Sequence, residues 1–190
     1  MYKKTLVLLL MVLFTGTLIL KGQSTGNSTV DLLMSAYSSR MFTSDPVSDS
    51  DLDLILKCGI KAPSARNSQP WKFTVVRDNA LIAGVINNAT PGNVLILVSG
   101  PEPGQQGMNA DFDCALATEN MYIAAQALGL GARIYTGPVS SINSGKKQIL
   151  NVPDGYRVRA VLRVGHVSQD VDASSSASTR KTIEEVVNYR

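Results

Sequence analysis

Ala62-Pro63-Ser64-Ala65-Arg66-Asn67-Ser68-Gln69-Pro70-Trp71 is the stretch on which the fold of this 190-residue chain turns. Two prolines stiffen it, small residues allow a tight turn, and two side-chain amides and one indole are left to do something. An amide donates and accepts at once, which suits a heteroaromatic ligand whose edge alternates carbonyls and ring nitrogens. A rigid turn in which Asn67 and Gln69 satisfy the loop's own backbone is the other reading.

The loop leaves a helix and enters a strand. Upstream, Ser48 opens Ser-Asp-Ser-Asp, a capping-box-like start with acids at the positive helix end, and Leu52, Ile55, Leu56 and Ile60 follow at helical spacing. Before it, Val30 to Tyr37 reads as a short helix capped by Ser28 or Thr29. Downstream come a strand from Phe73 to Val76, a helix from Leu81 to Ile86, and the buried apolar strand VLILV from Val94 to Val98. Gly100 to Gly107, rich in glycine and proline, is a flexible loop.

Asp111 to Leu128 is the longest helical pattern, closed by Gly129 at the position after the helix. Phe112, Leu116, Ile123 and Ala127 share one face, and many alanines let other helices approach, which suits the centre of a domain or of a dimer. A strand from Ala132 to Tyr135, a helix from Ser141 to Leu150 and a strand from Val158 to Val164 follow. A polar linker, Asp170 to Thr179, leads to a closing helix from Ile183 to Tyr189. Strands alternate with helices but are few and short. The expected class is α+β in three layers, a small mixed sheet surrounded by helices around a long central helix.

The leader is a separate unit. Lys3 and Lys4 precede an uncharged apolar run from Thr5 to Leu20, the order of a secretory signal. Residues 1–22 are expected to be a signal peptide or an N-terminal membrane anchor, 23–29 a linker, and 30–190 one folded domain. The chain is then exported to the periplasm or anchored to the membrane, which it touches through the leader alone. Lys3, Lys4 and Lys21 account for the whole formal excess of +3, because no acid occurs before Asp31. The domain therefore offers no charge-based case for binding nucleic acid or an anionic membrane surface.

Cys58 and Cys114 fall inside helical stretches and read as two buried free thiols. The one histidine, His166, has no Cys/His cluster for zinc and no G-x-S-x-G elbow for a hydrolase, and reads as a capping or packing residue.

Five blocks, in order, resemble the nitroreductase superfamily of FMN enzymes. They are Ser38-Ser39-Arg40 with Phe42 and Pro46-Val47; A-P-S-x-x-N-x-Q-P-W from Ala62; D-x-x-x-A-x-x-N-M-x-x-A-A-x-x-L-G-L-G from Asp113 to Gly131; Thr136-Gly137; and Arg180-Lys181 with Ile183-Glu184-Glu185-Val186. The resemblance implies a homodimer with FMN at each subunit interface. It implies that Ser38 and Arg40 approach the phosphate and ribityl side and that Arg180 reaches the phosphate. By the same similarity Pro63, Ser64 and Ala65 pass along the ring, Asn67 and Gln69 bond the cofactor or hold the loop, and Thr136 and Gly137 lie beneath the ring. A cation such as Arg40 near the flavin's carbonyl edge also favours the reduced anion. One departure is plain: Ala36 stands where the family has its first arginine, a phosphate ligand.

The implied activity is a two-step hydride transfer at flavin N5, from NADH or NADPH to a small aromatic acceptor such as a nitroaromatic or quinone, with no side chain serving as acid or base. The alternatives are a related reductive activity such as dehalogenation, and a non-catalytic or weakly active flavin- or ligand-binding module of the same fold.

Overall fold

The computed structural model describes residues 24–104, 109–168 and 179–190. The expected leader (1–22), the tip of the loop before the central helix, and most of the polar linker after the last strand lie outside the described residues.

Helix α1 (Ser28–Ser35) begins inside the stretch read as linker. Its cap is Asn27 rather than Ser28 or Thr29: the Asn27 side-chain oxygen accepts from the Thr29 and Val30 N–H groups at 3.1 and 3.2 Å. Ser24 and Thr25 add to this start by bonding the Asp31 carboxylate, which holds it below the usual carboxylate range. Helix α2 (Asp49–Ile60) starts where expected, with Ser48 Oγ accepting the Asp51 N–H at 3.0 Å. Its buried face is Leu52, Ile55 and Gly59, so Cys58, one position off that face, is exposed instead of buried. Cys114 is buried as expected, and burial pushes its thiol up to about 12.

The sheet is built from β1 (Lys72–Val76), β2 (Val94–Pro101), β3 (Gly131–Tyr135) and β4 (Tyr156–Gly165), in the order β1-β2-β4-β3. Every pairing is antiparallel, so the expected mixed sheet is corrected. The reason is topological. Strands β2 and β3 run the same way and are joined by helix α4 (Ala110–Ala127), as in a parallel crossover, but β4 inserts between them. The continuous apolar run in β2 remains correct, because helices cover both faces of this antiparallel sheet. Val94, Ile96 and Val98 enter one core with α2 and α4, while Leu95 and Leu97 enter another with α3 (Asn79–Ala83) and α5 (Val139–Gly145). Three layers result.

Helix α4 ends as its sequence implies, with Gly129 at φ 76° and the Leu130 N–H donating back to the Ala125 carbonyl at 2.9 Å. The face it buries is different. Cys114, Ala117, Met121 and Ala125 point inward, whereas Phe112 is 65% exposed and Leu116 and Ile123 are half-buried. The face of Phe112, Leu116, Ile123 and Ala127 is therefore the outer side of the helix, with Leu116 and Ile123 packed at the edge of the core. Helix α6 (Ile183–Val186) is shorter than expected and is opened by a Thr182–Glu185 capping box.

Candidate functional site

The loop from Ala62 to Trp71 is pinned at both ends by apolar burial: Ala62 and Trp71 are 6% and 7% exposed, and Trp71 stacks on Phe73. Between them the backbone is strained. Arg66, Asn67 and Gln69 all have positive φ (54°, 54° and 46°) without being glycine, around a single 3₁₀ turn at Ala65–Asn67. The loop spends most of its polar groups on itself. Asn67 and Ser68 N–H groups donate to the Ser64 and Ala65 carbonyls, and the Gln69 N–H donates to Ser64 Oγ at 3.0 Å. One anchor comes from outside: Asp113 Oδ1 on α4 accepts the Ala65 N–H at 3.0 Å.

The two amides meet. Gln69 Nε2 donates to Asn67 Oδ1 at 3.2 Å. With that bond made, the Asn67 NH₂ remains as a donor and the Gln69 Oε1 as an acceptor, on two exposed residues. Beside them Pro63, Ser64, Ala65, Asn109, Phe112, Asp113 and Leu116 line a groove of about 260 Å³. A mostly apolar groove beside an outward donor–acceptor pair can take a flat heteroaromatic body and read its polar edge.

The other expected residues form separate groups. Ser38 and Arg40 are exposed on a segment that crosses the start of β3, where the Tyr37 N–H donates to Gln126 Oε1 and the Ser39 N–H to the Ala132 carbonyl, each at 3.0 Å. Gly131 makes the crossing possible. A Cβ there would stand 2.1 Å from Val167 Cγ1 and 2.8 Å from Ser39 Oγ. Farther along, Phe42 bridges to Val167 and its ring lies 3.9 Å beneath the Arg163 guanidinium.

Thr136 and Gly137 are exposed just beyond β3, level with the loop at the same end of the sheet. The loop feeds one edge strand, β1, and they follow the other, β3. Two strands lie between, roughly 14 Å at ordinary strand spacing. Thr136 lines a separate depression with Glu102, Ser140, Asn143 and Arg157. Arg180 is exposed in the C-terminal segment, where its Nη1 donates to the Thr179 carbonyl at 3.4 Å. The His166 carbonyl accepts the Thr43 N–H at 2.8 Å.

One chain thus brings Pro63, Ser64, Ala65, Asn67 and Gln69 together and holds Ser38 and Arg40 elsewhere. Helix α4 measures the separation. The loop bonds it at Asp113 and the Ser38 segment bonds it at Gln126, thirteen residues on, or about 20 Å of helix. Sequence reasoning did not single out Asp113 or Phe112 as site residues. Their signal was present in the helical phase: Asp113 lies next to buried Cys114, and Phe112 falls on the outer stripe with Leu116.

A family model described as the nitroreductase family matches residues 33–93 and 87–166. A protein of Archaeoglobus fulgidus, provisionally named an NADH dehydrogenase/NAD(P)H nitroreductase, is 30% identical over 151 residues, covering 74% of this chain and 86% of its own. A provisionally named nitroreductase from Desulfovibrio desulfuricans, solved in complex with FMN, superposes with a TM-score of 0.74 at 27% identity, covering 86% of this chain and 97% of its own. A Bacteroides fragilis nitroreductase with bound FMN shares the fold at a TM-score of 0.70 and 22% identity, over 86% of this chain and 99% of its own.

Proposed function

Because this chain belongs to the nitroreductase family, we propose that it is an FMN-dependent oxidoreductase that takes electrons from NADH or NADPH and delivers them to a nitroaromatic or quinone. The observation that carries this reading is the outward donor–acceptor pair of Asn67 and Gln69 beside the apolar groove. Those groups fit a flavin, whose pyrimidine edge alternates acceptors and a donor and whose remaining ring is flat and apolar. FMN, when bound, supplies the hydride chemistry. The chain's residues bind, orient and exclude water. Asn67 and Gln69 hold the polar edge, Pro63, Ser64 and Ala65 pass along the ring, and Thr136 and Gly137 lie beneath it.

The 20 Å between the two ends of α4 supports a homodimer as the assembly. In a homodimer whose α4 helices lie antiparallel, the Asp113 end of one chain faces the Gln126 end of its partner. Ser38 and Arg40 of one subunit then meet the loop of the other, and Arg180 joins them at the phosphate. The outer stripe of α4, with Phe112 and Ala127 exposed and Leu116 and Ile123 half-buried, supplies an apolar face for that contact.

One observation favours the second reading, a weakly active flavin-binding module. Ala36 packs against the core at the end of α1 and offers no cation where relatives place an arginine. Loading the purified protein with FMN and following NADH and NADPH oxidation with a quinone decides between the two. Turnover supports the enzyme; a bound flavin that neither donor reduces supports the module.

We also propose that residues 1–22 direct the chain out of the cytoplasm, on the strength of the Lys3-Lys4 start and the uncharged run to Leu20. An alkaline phosphatase fusion after Gln23 that stays inactive in a bacterial host would contradict it.

A further inference from the structure

We infer that Asp113 is the positioning residue of the flavin loop: its carboxylate holds the strained 64–69 backbone in the conformation that aims Asn67 and Gln69 outward. The inference rests on the FMN reading above and adds to it a residue that touches no cofactor.

Four observations meet at this side chain. Asp113 is 1% exposed, so its carboxylate is withdrawn from water and must be satisfied by protein. Its Oδ1 accepts the Ala65 N–H at 3.0 Å, and its Oδ2 lies 3.5 Å from Ser68 Oγ. The residues between and just after those two contacts carry three positive φ angles on non-glycine side chains. Each such residue is strained and persists only where its surroundings over-determine it. The loop's internal bonds close its turn but attach it to nothing else. Asp113 makes that attachment, from the first turns of the longest helix in the sheet's covering layer.

The carboxylate acts as a fixed acceptor more than as a charge. An amide keeps an oxygen at the same reach and offers Ser68 Oγ a donor in place of an acceptor, a reversal the hydroxyl accommodates by rotating. A longer carboxylate keeps the charge but displaces the acceptor by a methylene. The two conservative variants therefore separate position from charge.

The test is titration of the apo-protein with FMN for the parent, Asp113→Asn, Asp113→Glu and Asp113→Ala, with hydrogen exchange at the Ala65 amide measured on the same samples. Asp113→Asn is expected within about threefold of the parent dissociation constant, and Asp113→Glu and Asp113→Ala at least tenfold weaker, with Ala65 exchange accelerated in those two alone. If Asp113→Ala does not fold, the Asn and Glu pair still decides. Glu at parent affinity with Asn impaired makes the charge the determinant and overturns the inference. A folded Asp113→Ala that binds FMN like the parent also overturns it. A parent that takes up no FMN at all removes the cofactor reading itself, a different failure.

Discussion

Arg163 carries its guanidinium into the interior on β4, 1% exposed, and the groups it meets are an amide, a hydroxyl and an aromatic ring. Nε donates to Asn93 Oδ1 at 2.7 Å, Nη2 donates to Thr90 Oγ1 at 2.9 Å, and Phe42 lies beneath the plane. Burial lowers its pKa from the usual arginine value. Through Phe42 this one side chain ties the Ser38–Phe42 segment to the sheet. Arg163→Ala strands the buried Asn93 Oδ1 and the part-buried Thr90 Oγ1 and leaves a void, and is expected to cost about 2–4 kcal/mol in urea unfolding. Glu119 is the second informative residue, because it interrupts the apolar outer stripe of α4. Desolvation raises its pKa above the ordinary 4.5. The folded chain therefore keeps a proton that the unfolded chain has released just above that value, and stability falls as pH rises through the raised pKa. Glu119→Gln is expected to raise the melting temperature at pH 7 and to leave it unchanged near pH 4, below the unfolded pKa.

At the scale of elements, the crossing of the Ser38 segment over β3 is the contact most sensitive to a single methyl. Gly131→Ala places a Cβ against Val167 and buried Ser39, and either the segment or the strand must move. A loss of roughly 1–3 kcal/mol is expected in thermal melts, as for other overpacked sites, together with weaker FMN binding because Ser38 and Arg40 shift. A melting temperature equal to the parent's would show that the crossing has slack. The elements themselves were largely legible in sequence. Ser48 before a helical apolar pattern, Gly129 after one, and the run VLILV each state a local preference that the tertiary structure keeps. What was not legible was relational. Nothing local shows that β4 inserts between β2 and β3, which makes the sheet antiparallel throughout. Which face of α4 turns inward was not legible for a similar reason: small residues such as Ala117 and Ala125 fill the interior, while the larger Phe112 lies outside. The Asn67–Gln69 loop was visible by its residue types, but its anchor at Asp113, 48 positions from Ala65, was not.

For the whole molecule, the proposed homodimer would complete each FMN site with residues of both chains. Arg180 belongs to this scale, since the cofactor phosphate would draw on it and on Arg40 with Ala36 in the family's arginine position. Arg180→Ala is expected to raise the FMN dissociation constant by tens- to a hundred-fold, the range of one charge-assisted phosphate contact. FMN and riboflavin should then bind about equally. A variant that retains the parent's preference for FMN would place Arg180 in solvent. The most direct measurement of the central claim is the absorption spectrum of the purified full chain loaded with FMN, followed anaerobically through addition of NADH or NADPH and then of a quinone. The account predicts flavin bands that stay with the protein, bleach on the donor and return on the acceptor. A chain that takes up no flavin, or whose bound flavin neither donor bleaches, would contradict it.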